Sequence, residues 1–531
     1  MSRLNRRKFI KTASKGASAA ILPAGIGLAC RAGNGSAAAQ GDSNFVPHLE
    51  INLTAKPSDV QILDGASTAV WQYGGEVIKG DPSALVNVAN TYLGPILKTR
   101  RGQNVRIRFH NLVDQESIIH WHGLHVPPEM DGHPRHVITE GETYVYEFQV
   151  VNRPGTYWFH PHPHRITGPQ VYRGLAGLFL ISEKNEEQLD LPSGDYDIPL
   201  VIQDRLFDAN NQLVYVGNTM EQMLGFLGDT ILINGKTNQV MNVESRAYRF
   251  RILNGSNSRI YKLAWQDGTP MTIVGTDGGL LQEPVTRPYL TLGPAERFDV
   301  IADFSGREVG DELRLVSESI PGIQVAMGGM MGRMMGGMGQ RASVPENGAR
   351  LDILTIRINQ KVERSFVLPK RLSDIEFQSK DSAVNRNNPR QFEFAMTGHM
   401  QWTINGRTFE MTDVADDERV KLNTTEIWEF INSGGGMGMM GGMMHMPHPV
   451  HIHGLQFQIV DRQIDPQFAE AWEALQDGVV DDGWKDSFLL LPGARVKVLL
   501  TFKDFKGMYL YHCHNLEHED MGMMRNYLIE S

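Results

Sequence analysis

Cysteine is nearly missing from this chain: Cys30 and Cys513 are the only two in 531 residues. A fold stapled by several disulfides is therefore excluded, and packing must hold the chain together. Long apolar runs are missing as well. The run Gly16–Ala29 has 14 residues, short of the ~18–20 that a spanning helix needs, and no later stretch reaches that length, so no membrane span is expected. Basic clusters are absent beyond residue 39, and Asp+Glu outnumber Lys+Arg by 61 to 51. That balance disfavours a nucleic-acid partner and mildly favours cations. Helical periodicity is scarce outside Phe468–Gln476, which excludes a helical bundle.

What is present begins with an export signal. Residues 1–39 carry seven Lys/Arg and no Asp/Glu, opening with Asn5-Arg6-Arg7-Lys8-Phe9-Ile10-Lys11 before the apolar run. This reads as a twin-arginine signal peptide, which engages the twin-arginine translocase and sends an already folded chain to the periplasm. Cleavage is expected after Ala37-Ala38-Ala39. The alternative is a lipoprotein site at Leu28-Ala29-Cys30, whose leucine sits one place too late. Removing seven of the 51 basic residues leaves 44 against 61 acidic ones, a net charge of −17 in place of −10. It also leaves one cysteine, Cys513, and a lone exported thiol is a liability unless a metal ion caps it.

The length suffices for about three domains at ~150 residues each. Short alternating runs such as Asn104–Phe109, Tyr144–Val150, Tyr248–Ile252, Arg297–Ala302, Leu351–Ile358 and Val496–Phe502, broken by Gly, Pro, Asn and Asp, predict an all-β series of sandwiches. A weak repeat supports three copies: Asn104–Asn111, Ala247–Asn254 and Thr425–Asn432 each read as a strand ending at an Asn-led turn. The first and third copies run on into histidine-rich motifs, whereas the second runs into Tyr261–Trp265 without one. Gly155–His162 similarly mirrors Gly507–His514. The first and last domains are thus expected to share a metal centre that the middle one lacks.

Four His-x-His pairs carry that expectation: His120/His122, His160/His162, His451/His453 and His512/His514. Alternate side chains of a strand share a face, so each pair aims two imidazoles at one spot, and Cys513 must point the other way. One strand can then serve a metal on each side. On the cysteine side, His448, Cys513, His518 and a weak axial Met523 form the His₂Cys-plus-thioether set that selects a blue electron-transfer copper. On the other side, eight imidazoles fit three coppers held by two, three and three histidines. A lone histidine pair is more often a turn or sheet residue than a ligand, but four pairs around one cysteine are not. His48, His110, His125, His133, His136, His164 and His399 are read as surface residues or as supports of ligands, with His445 undecided between these and the methionine loop beside it.

His120-Trp-His-Gly123, Trp158-Phe-His-Pro-His162, His448-Pro-Val-His-Ile-His-Gly454 and the His512-Cys513-His514, His518, Met523 series resemble the four signatures of the multicopper oxidases. The resemblance spans about residues 45–531 and is strongest to bacterial periplasmic cuprous oxidases of copper efflux. It implies three consecutive cupredoxin-like Greek-key β-sandwich domains: 45–185, 195–360 with an insertion at 326–340, and, after a linker at 361–398, 399–531 with a loop at 433–446. It implies four copper ions. His120 and His451 would hold the type 2 copper, and His122, His160, His162, His453, His512 and His514 the type 3 pair. Single electrons taken at the type 1 copper would travel along Cys513 to the trinuclear cluster, where dioxygen becomes water with four electrons and four protons. Asp131 and Glu519 stand where the family keeps acids beside the cluster and are expected to supply protons.

Two methionine-rich stretches interrupt the strand pattern. Met327, Met330, Met331, Met334, Met335 and Met338 fall on one helical face, but six glycines among residues 327–339 make a packed helix unfavourable at ~1 kcal/mol each. Met437, Met439, Met440, Met443, Met444 and Met446 directly precede His448, which is expected near solvent. Thioethers favour Cu(I), so both stretches are expected to collect Cu(I) as substrate. Neither contains Asp or Glu, a departure from the cuprous oxidases. A cuprous oxidase, active as a monomer and also accepting phenolic small molecules, is the leading expectation. A laccase-type phenol oxidase, a copper-storage protein and a copper-free structural protein of cell division are the alternatives. A two-domain nitrite reductase does not call for eight cluster histidines.

Overall fold

Along Asn104–Asn111 the side chains alternate strictly between half-buried and buried. Val105, Ile107 and Phe109 enter a core, while Arg106 and Arg108 face outward onto Glu147 and Glu50. The computed structural model describes residues 41–237, 240–323, 343–364, 366–397, 401–433 and 445–531. In it, this strand lies in a four-stranded sheet between Leu49–Val60 and Thr143–Gln149. A five-stranded sheet contributes Trp121, Phe159 and Phe179 to the same buried cluster as Ile107 and Tyr146, so the two sheets close one sandwich.

The arrangement recurs twice. A six-stranded sheet built round Ala247–Asn254 shares a core of Phe250, Ile273, Leu263 and Ile356 with a five-stranded sheet. Two five-stranded sheets likewise enclose Trp428, Val496, Val450 and Tyr511. The protein is all-β, with three consecutive cupredoxin-like sandwiches. The repeat seen in the sequence is structural: Asn104–Asn111, Ala247–Asn254 and Thr424–Ile431 each run parallel to an earlier strand on one side and antiparallel to a later one on the other. The asparagine ending each copy does the same work. Asn111 Nδ2 donates to the carbonyls of Gln115 and Ile138, Asn254 Nδ2 to those of Arg259 and Leu292, and Asn432 Nδ2 to those of Met446 and Leu490. Each satisfies carbonyls of loops and strand ends that burial removes from water.

In the middle sandwich Tyr261 and Leu263 fill apolar positions of the core where the outer two carry histidines. The expected helix at Phe468–Gln476 is a 3-10 turn, Pro466–Phe468, running into the α-helix Ala469–Leu475. Thr167–Tyr172, Thr219–Leu224 and Leu516–Asp520 are further short helices that periodicity did not reveal. No helix among the described residues is long and apolar enough to cross a membrane. The expected signal at 1–39, His399, the insertion methionines Met327–Met338 and the loop methionines Met437–Met444 lie outside the described residues.

Candidate metal centre

Two pairs of strand ends bring the eight cluster histidines together. Ile119–His122 pairs antiparallel with Gly155–Pro161, His120 opposite His160, in the first sandwich. His448–Ile452 pairs with Gly507–Cys513, His451 opposite His512, in the third. The two sets face each other: Nε2 of His120 lies 3.2 Å from Nε2 of His451, and Nε2 of His512 lies 3.1 Å from that of His453 and 3.4 Å from that of His162. Nδ1 of His122 lies 3.4 Å from Nε2 of His160. The His514 ring stands 5.1 Å from that of His122 and 5.2 Å from that of His160. None of the eight is more than 1% exposed.

Apart from those of His514, their inward nitrogens meet one another, and Glu519 approaches only Nε2 of His162, at 3.6 Å. On the outward side, Nδ1 of His120 and of His451 meet the carbonyls of Asp131 and Asp486, at 2.6 and 2.8 Å. Nδ1 of His160 meets its neighbour's carbonyl, and Nδ1 of His453 meets the Asp131 carboxylate at 2.7 Å. An outward N–H donated in this way leaves the inward lone pair free, as a metal ligand requires. Both nitrogens of His514 are buried without a hydrogen-bond partner. Burial, reinforced by neighbouring imidazoles, holds His120, His451 and His453 well below the usual histidine range and therefore neutral. Converging neutral imidazoles with orphaned nitrogens fit copper ions.

Cys513 points to the opposite side of its strand, as expected. Its Sγ lies 3.4 Å from Nδ1 of His448 and 3.6 Å from Nδ1 of His518, and these two nitrogens are 3.3 Å apart. Met523 is buried in the same core cluster, and its carbonyl accepts from the Cys513 N–H. Burial raises the Cys513 thiol well above its ordinary range, so a soft metal ion is needed to hold it as thiolate. One expectation fails here. His448 is not near solvent: it is 1% exposed, with Trp402 and Phe394 packed on its ring at 5.0 and 5.9 Å.

The two acids lie at the cluster. Asp131, 1% exposed, accepts from His453, and burial raises its carboxyl well above the usual range. Gly132, at φ +88, lets the turn that carries it lie against the His120 backbone where a Cβ would collide. Glu519 is 2% exposed, 3.2 Å from Nδ1 of His512 and 3.6 Å from Nε2 of His162. Burial alone would raise it; His162 and His512 lower it and prevail. Of the residues read as surface or supports, His133 is fully buried and bonds Asn526. Met446 is buried, and its carbonyl takes the Asn432 bond.

Sequence reasoning missed three contributors. Met223, on the middle-sandwich helix Thr219–Leu224, offers its carbonyl to Nε2 of His518 at 2.9 Å and to Trp402 Nε1 at 3.2 Å. Asp486 and Ser487 stand 3.1 Å from Nε2 of His122. A carbonyl anchor leaves no residue-type signal, and an aspartate 32 residues after Gly454 and 26 before His512 offers no spacing to read.

Models of the multicopper oxidase family match residues 68–186, 198–311 and 383–531. A multicopper oxidase of Staphylococcus haemolyticus is 31% identical over 451 residues, 85% of each chain. The McoA multicopper oxidase of the hyperthermophile Aquifex aeolicus superposes with a TM-score of 0.75 at 34% identity, covering 92% of this chain and 97% of that one. A Campylobacter jejuni multicopper oxidase, described as a metallo-oxidase, does so with a TM-score of 0.69 at 26% identity, covering 92% and 94%. The chain belongs to the multicopper oxidase family, whose members are copper-dependent oxidoreductases.

Proposed function

We propose that the protein takes single electrons from Cu(I), and also from phenolic small molecules, at the Cys513 side and delivers four of them, with four protons, to dioxygen at the histidine cluster, forming water. Exported by the twin-arginine pathway, it would serve copper tolerance in the periplasm. His448, Cys513, His518 and Met523 would hold the type 1 copper. His120 and His451 would hold the type 2 copper, and His122, His160, His162, His453, His512 and His514 the type 3 pair. When bound, copper supplies the one-electron redox chemistry at the first site and the reduction of dioxygen at the second.

The chain's own residues do the rest. Cys513 faces His448 and His518 while its neighbours His512 and His514 face the cluster, so two peptide bonds join the sites. This juxtaposition carries the reading. Asp131, bonded to His453 and raised by burial, would hold a proton at its carboxyl within reach of the cluster, and Glu519, held as a carboxylate beside His512, would relay protons toward it. Twelve candidate methionine ligands, six in each insertion, make Cu(I) the preferred substrate, and the description of the Campylobacter relative as a metallo-oxidase supports it.

Oxygen uptake by the copper-loaded protein, with Cu(I) supplied in a chelator that suppresses autoxidation, tests this in the wild type and in a deletion of Ser433–Met444. Rapid uptake that falls on deletion, while phenol oxidation survives or rises, is expected. Negligible Cu(I)-driven uptake beside strong phenol oxidation would leave a laccase, and no uptake with either substrate a storage or structural protein.

A further inference from the structure

The His122 ring is turned differently from the other anchored cluster histidines. His120, His160, His451, His453 and His512 all direct Nδ1 outward to a carbonyl or carboxylate. His122 directs Nδ1 inward to His160 and Nε2 outward, 3.1 Å from Asp486 Oδ1 and 3.1 Å from Ser487 Oγ. An imidazole offers a lone pair at Nδ1 only while Nε2 keeps its proton, and the acceptor at Nε2 decides this.

Asp486 is itself immobilised from the middle sandwich. Arg297 grips it with both ends of the fork, Nη1 to Oδ1 at 2.7 Å and Nη2 to Oδ2 at 2.6 Å. The other Arg297 donors are spent on the carbonyls of Thr156, Ala295 and Asp277. Asp277 receives the Arg297 backbone N–H at 2.8 Å and lies 3.0 Å from Lys485 Nζ, which reaches Glu296 at 2.7 Å. Arg297, Asp277 and Asp486 are fully buried, an arrangement that is tolerable only because every charge is matched and bonded. Gly123, at φ +87, closes the His120-Trp-His-Gly motif against this pair, where a Cβ would strike Asp486 Oδ2 and Arg297 Nη2. His122, His451 and Asp486 lie close enough together to hold an ion of their own. The bidentate guanidinium takes the carboxylate, however, and the Asp486 carbonyl takes Nδ1 of His451.

We propose that Asp486, clamped by Arg297 of the copper-free middle sandwich, is a positioning residue that fixes His122 with Nδ1 toward the cluster. The inference rests on the copper reading above and assigns the middle sandwich a part in it. The neutral amide of Asp486→Asn still fills the space but cannot take both arms of the fork and the imidazole N–H together. Arg297→Lys keeps the charge and loses the fork.

Full-length Asp486→Asn and Arg297→Lys proteins, loaded with copper, are compared with wild type by copper affinity and stoichiometry, visible absorption and EPR. Thermal unfolding of the metal-free forms checks folding. Asp486→Asn is expected to weaken copper binding at the cluster about 10–100-fold while the blue absorption of the Cys513 site stays intact, and Arg297→Lys to do the same to a smaller degree. Wild-type cluster affinity and EPR in Asp486→Asn would overturn the proposal. So would parallel loss of both sites, in Asp486→Asn or, should that variant not fold, in Arg297→Lys, because a structural brace would not spare one of them. A wild-type protein that binds no copper at the cluster would instead refute the reading beneath it.

Discussion

Most of the candidate ligand atoms here are left available by what the other side of the same side chain does. Outward N–H groups are donated to carbonyls and carboxylates, and the Cys513 sulfur faces two Nδ1 atoms and takes the Asn515 backbone N–H. Replacing Cys513 by serine tests this at its sharpest point. A hydroxyl is harder and less acidic than a thiol, so Cys513→Ser should lose the blue absorption and one copper per chain while the cluster keeps its own. The metal-free variant should lose no more than about 1–3 kcal/mol, the cost of burying a poorly partnered hydroxyl. Absorption and metal analysis read the first effect and denaturant unfolding the second. Blue absorption surviving in the serine protein would mean that Cys513 is not a ligand. The histidine and cysteine positions were legible because strand alternation converts spacing directly into direction. Asp486, Arg297 and Met223 were not, because they act across sandwich boundaries that local spacing does not encode.

Among the elements, the five-residue helix Leu516–Asp520 concentrates the contacts between sandwiches. Its Glu517 carboxylate accepts from Tyr215 Oη at 2.5 Å, Asn257 Nδ2 at 2.9 Å and the Phe226 N–H at 2.9 Å, and from Ser258 Oγ, all on the middle sandwich. Asp520 accepts from the N–H groups of Thr167 and Gly168 at 2.9 Å each, on the first. Between them, His518 and Glu519 face the two candidate metal sites. Glu517→Gln replaces a carboxylate oxygen by a donor among four groups that all donate to it, so the Tyr215 and Ser258 hydroxyls must turn and the Asn257 and Phe226 N–H groups compete for one oxygen. It should destabilise the protein by about 1–3 kcal/mol and shift the blue absorption, because the same helix carries His518. Denaturant unfolding and visible spectra of the variant provide the check, and unchanged values in both would show that the helix is not held by this carboxylate. A helix this short completes barely more than one turn, which is why periodicity could not announce it. Strands such as Asn104–Asn111 were readable because alternation continues over eight residues.

At the scale of the whole molecule, the cluster histidines come from the first and third sandwiches, while the second supplies Arg297, Asp277 and Glu517's partners. The sequence distinguished the middle copy by its lack of histidine, but not its role as a brace, which depends on buried charges meeting across interfaces. Bringing so many imidazoles into one dry seam has a consequence for the metal-free protein. Burial depresses His160 and His518 to about 3, and His120, His122, His448, His451, His453 and His514 are lowered well below their usual range for the same first reason. In the unfolded chain these groups take up protons near pH ~6.5. The native state binds fewer, so the stability they contribute is complete above that value and is lost as pH falls toward the folded pKa. The slope is up to ~1.4 kcal/mol per pH unit for each histidine. Asp131, Asp520, Glu517 and Glu296, all raised by burial, oppose this, but they are four groups against eight. Copper held as proposed would bind the neutral imidazoles of the native state, so loading should move the loss to lower pH. Denaturant midpoints measured between about pH 7.5 and 5 should therefore fall steeply for the metal-free protein and far less for the copper-loaded one. Parallel pH dependences would mean that these imidazoles are not the copper-binding groups.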